Sequence, residues 1–162
     1  MGVVSPAPDG CYPNFTTAEG CDALSLLTTG AGNTGLGWRS LFLDTTGSFN
    51  TAVGGGALAL NNADANTAVG AAALLLNTSG SGNTAVGSNA LVYNDNGGGN
   101  TANGAFALFS NTTGIVNVAI GLYALLNNDN GSGNVAIGEE SLVYNISGSD
   151  NTVVGAGAGN NI

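Results

Sequence analysis

A glycine returns about every 17 residues along this chain, and that period limits the fold more than any other feature. Gly20, Gly37, Gly54, Gly70, Gly87, Gly104, Gly121, Gly138 and Gly155 are spaced by 17 residues, with one interval of 16 between Gly54 and Gly70. Asn stands four residues before eight of them, at 33, 50, 66, 83, 100, 117, 134 and 151, and Thr16 takes that place in the first repeat. Leu stands four residues after, at 24, 41, 58, 74, 91, 108, 125 and 142, each time behind an Ala or Ser. The unit reads N-T-A-V-G-x-x-A-L-x-x-N-x-x-G-x-x. Positions are counted below from the anchor glycine as zero. The short unit loses its residue within 61–65, a polar stretch, and loops tolerate changes of length.

Seventeen residues are too few for two helices and a turn, and Gly and Asn every few positions would break any helix. The period predicts an all-β chain, a parallel β-solenoid (β-roll) of about nine 17-residue coils. Each coil is expected to hold two short strands, N-T-A-V-G and A-L-x-x-N, joined by polar turns in which Asn and Gly supply left-handed backbone. Coils stacked about 4.8 Å apart would make a rod of about 40 Å, with Asn above Asn and Thr above Thr in hydrogen-bonded ladders. Residues 14–162 form the repeat domain in this reading, and 1–13 an N-terminal extension or assembly segment.

Composition excludes most chemistry. The chain has no His and no Lys, Arg39 is its one basic side chain, and its net charge is −9. No imidazole or lysine amine is present for acid–base or Schiff-base work, so the expectation is that the protein is not an enzyme and takes no cofactor. One cation cannot neutralise a row of phosphates, so no nucleic-acid partner is expected, nor an anionic membrane surface. No apolar run approaches the roughly 20 residues of a membrane helix, so no membrane insertion is expected. The opening Met1-Gly2-Val3-Val4-Ser5-Pro6-Ala7-Pro8 lacks the basic and apolar regions of a Sec signal.

Strand alternation predicts the faces. In the second strand, Leu at +4 shares a face with position +6, while Phe42, Leu75, Val92, Phe109, Leu126 and Val143 at +5 share the other. A strand apolar on both faces is normally covered on both. The six residues of the +5 column are therefore expected to meet a neighbouring subunit. In the first strand, Ala at −2 recurs so regularly that it implies a tight site. Position −1, usually Val or Ile, is Glu19 in the first repeat and Asn103 in the sixth.

The blocks Asn50-Thr51-Ala52-Val53-Gly54, Asn66-Thr67-Ala68-Val69-Gly70 and Asn83-Thr84-Ala85-Val86-Gly87 resemble the repeats of trimeric autotransporter adhesin heads. The opening Pro8-Asp9-Gly10, Tyr12-Pro13 and Thr17-Ala18-Glu19-Gly20 resembles bacterial secreted repeat proteins rich in N-T-A-V-G. The resemblance covers residues 14–159. It implies a left-handed parallel β-roll, assembly as trimers and a place on a bacterial surface.

The candidate sites are few. Gly30-Ala31-Gly32-Asn33-Thr34-Gly35 matches G-x-G-x-x-G, but no helix follows it and no βαβ unit surrounds it. Asp95 and Asp129 head equivalent Asp-Asn-Gly turns and are weak Ca²⁺ candidates, with turn chemistry as the simpler reading. Cys11 and Cys21, the only cysteines, suggest a disulfide tying the N-terminal segment to the first coil, with an intersubunit bridge or free thiols as alternatives. Asn14, Asn77, Asn111 and Asn145 head N-x-S/T sequons, three of them at one repeat position. The column Thr34, Thr51, Thr67, Thr84 and Thr101 suggests ice binding, interrupted at Val118 and Val135.

These features lead to an expected function. The chain reads as a self-assembling extracellular structural protein, the subunit of a filament or fibre, with itself as partner, end to end or laterally. Repeats that run to Val154-Gly155 without a charged cap support this, since solenoid ends are normally capped. The alternative is a trimeric adhesin head or phage-type fibre segment that contacts a cell surface or glycan.

Overall fold

A computed structural model describes residues 13–160. After a short 3₁₀ turn at Pro13–Phe15, nine strands of three residues follow: β1 (Thr17–Glu19), β2 (Thr34–Leu36), β3 (Thr51–Val53), β4 (Thr67–Val69), β5 (Thr84–Val86), β6 (Thr101–Asn103), β7 (Val118–Ile120), β8 (Val135–Ile137) and β9 (Thr152–Val154). They form one parallel sheet in chain order. Each residue pairs with its equivalent in the next coil, Thr84 with Thr101 and Ala85 with Ala102. The register holds across the 16-residue coil, where Ala52 pairs with Ala68. No α-helix occurs among the described residues. The chain is a β-solenoid with coils of about 17 residues.

The anchor glycine turns each strand out of the sheet. At Gly87 φ is +130°, and an added Cβ would lie 2.6 Å from the carbonyl carbon of Gly104 in the next coil. Backbone angle and stacking distance both demand a residue without a side chain there, which is why this position carries the period.

The interior has a dry half and an amide half. Ala at −2, Ala or Ser at +3 and Leu at +4 stack into the dry half. Ala102, Ala107 and Leu108 are fully buried, as are their equivalents in the adjacent coils. The amide half holds two Asn ladders. At −4, the backbone N–H of Asn100 donates to Oδ1 of Asn83 at 2.9 Å, and the pattern repeats from coil to coil. At +7, Asn94 Nδ2 donates to Asn77 Oδ1 at 2.6 Å, and Asn111 Nδ2 to Asn94 Oδ1 at 2.8 Å. The ladders meet at one carbonyl: Gly97 O accepts from Asn83 at 2.9 Å and from Asn94 at 2.8 Å. In the short coil the acceptor is Ala63 O, two residues beyond Asn61 rather than three. The missing residue thus comes out of this turn, and both ladders stay intact.

The expected second strand is not formed. Positions +1 to +7 make two successive tight turns, with Ala107 N–H donating to Gly104 O at 3.2 Å and Asn111 N–H to Leu108 O at 3.1 Å. Coil-to-coil bonds persist, Leu108 N–H to Ala124 O at 3.0 Å among them, but the alternation of a strand is lost. The cause is left-handed backbone at +2 and +4: φ is 57° at Phe106 and 52° at Leu108. These angles turn adjacent side chains to one side, so Ala107 and Leu108 both point inward. A Leu in this region carries a strain of about 1–2 kcal/mol, and burial of its side chain, worth about 1.5–3 kcal/mol, offsets it.

Candidate functional site

Because the inward positions are taken up by the core and the Asn ladders, the accessible side chains stand on the outer surfaces. The sheet presents positions −3 and −1 outward while −2 is buried, as at β4, where Thr67 and Val69 flank fully buried Ala68. The outer row at −3 reads Thr17, Thr34, Thr51, Thr67, Thr84, Thr101, Val118, Val135, Thr152. The row at −1 reads Glu19, Leu36, Val53, Val69, Val86, Asn103, Ile120, Ile137, Val154. Asn103 is exposed on this face.

The +5 column does not form the open stripe that strand alternation predicts. Val92 and Val143 are buried, and Phe42, Leu75, Phe109 and Leu126 are half-buried. Neighbours along the stack cover them. The Phe109 ring lies 5.0 Å from Tyr93 and 5.5 Å from Phe106, which stands 5.4 Å from Tyr123. The Arg39 guanidinium lies 4.7 Å from the Phe42 ring and 5.0 Å from Trp38. The aromatic residues at +1 and +2, Trp38, Phe106 and Tyr123, are what sequence reasoning missed. Their signal was present in Gly104-Ala105-Phe106 and Gly121-Leu122-Tyr123, but strand alternation, applied to +3 through +6, gives positions +1 and +2 no face.

Asp95 and Asp129 sit in equivalent turns two coils apart, about 10 Å by the strand spacing, with Thr112 between them. Each carboxylate accepts a hydrogen bond from the Thr of the preceding coil, Thr78 and Thr112 respectively. Each backbone carbonyl gathers amides from the same turn, as Asp95 O does from Thr78, Ser79 and Gly80. Two carboxylates so far apart cannot share one Ca²⁺, whose ligands lie at roughly 2.3–2.6 Å. Among the described residues no group of three or more His, Cys, Asp or Glu could hold a metal. Gly30-Ala31-Gly32-Asn33-Thr34-Gly35 spans the turn that leads into β2 and the first two residues of that strand. Cys21 is exposed at the turn after β1, and Cys11 lies outside the described residues. Asn77 and Asn111, two of the sequon residues, are fully buried rungs of the +7 ladder. Asn14 is exposed, and its Nδ2 is 3.4 Å from Gly30 O.

One buried charge was not anticipated. Asp44 takes the +7 place in the second coil and is fully buried. It accepts from Gly47 N–H at 2.7 Å, Asn50 Nδ2 at 3.3 Å and Asn61 Nδ2 at 3.4 Å. Leu27 occupies the same place one coil earlier, so an Asn at 44 would face no acceptor there. An acceptor-only side chain therefore suits the start of a ladder whose rungs all donate backward. Burial, with a contribution from nearby Asp64, raises the Asp44 carboxyl from 3.8 to about 6, against the opposing hydrogen bonds from Gly47, Asn61 and Asn50. The folded chain thus holds this proton more tightly than the unfolded one. Its contribution to stability is full below about pH 4 and is lost as pH rises through about 6. The thermal midpoint of the natural chain is expected to fall across that window more steeply than that of Asp44→Asn. Parallel pH profiles of the two proteins would contradict the assignment.

No helix among the described residues is long and apolar enough to cross a membrane. Comparison with known proteins finds no matching family model, no matching curated protein and no matching solved structure.

Proposed function

We propose that this protein is a self-assembling structural rod, the subunit of an extracellular filament or fibre built from β-solenoids. The observation that carries this reading is the repeated cross-section. Inward positions are spent on coil-to-coil contacts, the Asn ladders and the Ala/Leu core, and no cluster of titratable side chains among the described residues is left over for chemistry. The outer surface supports association. Phe49, Val116, Tyr144 and Ile146 are each at least 60% exposed, so these large apolar side chains are accessible for lateral contact. Because the +5 column is largely covered within the chain, lateral contact falls to these outer residues instead.

A second reading, an adhesive rod such as a trimeric adhesin head or phage-type fibre segment, is favoured by the exposed rings of Trp38, Tyr93 and Tyr144. Their apolar faces and polar edges suit a glycan or cell surface.

Light scattering at micromolar concentration, followed by negative-stain microscopy, tests the proposal. The natural chain is expected to form assemblies well above monomer mass, and Tyr144→Glu with Ile146→Glu to reduce them. Long polymers support the fibre, discrete short rods of fixed subunit number support the adhesin, and a monodisperse monomer contradicts both.

A further inference from the structure

We propose that the outward face of the nine-stranded sheet binds ice. Three observations converge on it. The first is regularity. The strands are parallel and in register from β1 to β9, so outer side chains repeat about every 4.8 Å along the stack and about 6.7 Å across each strand. Both distances lie near the oxygen repeats on a prism face of hexagonal ice. Internal side-chain ladders restrain the twist that a many-stranded sheet otherwise develops, and this chain has two of them.

The second is chemistry. Six consecutive strands, β1 to β6, present Thr at −3, and β9 presents Thr152. No hydroxyl of this row hydrogen-bonds within the chain among the described residues. Each is therefore free to donate to and accept from lattice water. Beside this row runs a second, of Leu, Val and Ile except for Glu19 in β1 and Asn103 in β6, and its methyl groups order the water between the hydroxyls. Val118 and Val135 interrupt the Thr row only in part, because Val has nearly the shape of Thr and keeps its methyl contact.

The third is what the face lacks. The chain carries ten acidic residues, yet none stands at −3 or −1 from β2 to β9; the one exception is Glu19 in β1. Such segregation suits a partner that is itself uncharged. The face is also too narrow for a stable protein contact. Eight strand spacings by the width of three residues give about 400 Å², half of the roughly 800 Å² per partner in a typical specific interface. A second copy is therefore not the occupant; an extended ordered surface is.

Thermal hysteresis and the shape of single ice crystals test this. The natural chain is expected to open a gap between melting and freezing and to facet the crystal. Thr67→Tyr with Thr84→Tyr should abolish both while leaving circular dichroism and the thermal midpoint unchanged, because both side chains point outward. Ser79→Tyr, on a loop away from the sheet, should retain both. No hysteresis in the natural chain would overturn the proposal, and hysteresis that survives the double variant would remove it from this face. Loss of self-association in the Thr67→Tyr, Thr84→Tyr protein without any ice effect in the natural chain would also overturn it, by making the face a contact between copies. These outcomes are independent of the fibre reading, which light scattering tests separately.

Discussion

Leu108→Asp is expected to unfold the solenoid, whereas Asn103→Val, five residues earlier in the same coil, is expected to leave its thermal midpoint unchanged or raised. Leu108 is fully buried between its equivalents Leu91 and Leu125. Removing a buried Leu side chain costs about 2–5 kcal/mol, and an unpaired buried carboxylate adds several more. The sum reaches the total stability of an ordinary domain, about 5–15 kcal/mol. The left-handed backbone at this position adds to the effect, since burial of the Leu is what offsets its strain. Asn103 lies on the outer face of β6, paired with Val86 in β5. Val fits both the row and the preference of strands for β-branched residues. Thermal melts of the two variants side by side provide the check, and equal midpoints would contradict the assignment of inner and outer positions.

Asn94→Leu is expected to be nearly as damaging, although it makes the interior more apolar. Asn94 Nδ2 donates to Asn77 Oδ1 and Gly97 O, and its Oδ1 accepts from Asn111 Nδ2. Leu has similar volume but removes all three bonds and leaves Asn77 Oδ1 and one N–H of Asn111 without a partner inside the coil, although Asn77 Nδ2 and the other Asn111 N–H keep theirs. Each orphaned group costs about 1–3 kcal/mol, and Gly97 O keeps only the bond from Asn83. Because rungs in one network do not act independently, damage spreads along the ladder rather than staying in one coil. A drop in melting temperature as large as that of a Leu→Ala change in the core is the expected result. Stability equal to the natural chain would mean that the Asn column contributes no net energy.

How much of this was legible in the sequence depends on the position. The anchor glycines are invariant, and Ala at −2 (Gly35 and Val153 excepted) and Asn at −4 (Thr16 excepted) recur where their geometry favours them, so residue identity and structure agree. The site of the 16-residue coil was legible too, since only a turn absorbs a deletion without shifting the ladders. The stretch from +1 to +7 was not. Its left-handed residues include Arg39, Phe106, Tyr123, Glu140 and every Leu at +4. None of these residue types signals a positive φ, so an apolar stretch ending in Asn reads as a strand. Once +3 and +4 both point inward, the two-faced strand and the uncovered +5 column vanish together. Asp44 was invisible for a related reason: as one acidic residue in a turn it reads as solvated, and only the direction of the ladder shows why it belongs inside.

All of these conclusions rest on each coil lying directly over the next with residues matched 17 apart. Nuclear Overhauser contacts in solution test that register most directly. The structure predicts contacts from Ala85 to Ala102 and from Ala102 to Ala119, in keeping with the pairing of β5, β6 and β7. Contacts that pair neighbouring strands antiparallel, or parallel with a shifted register, would contradict it.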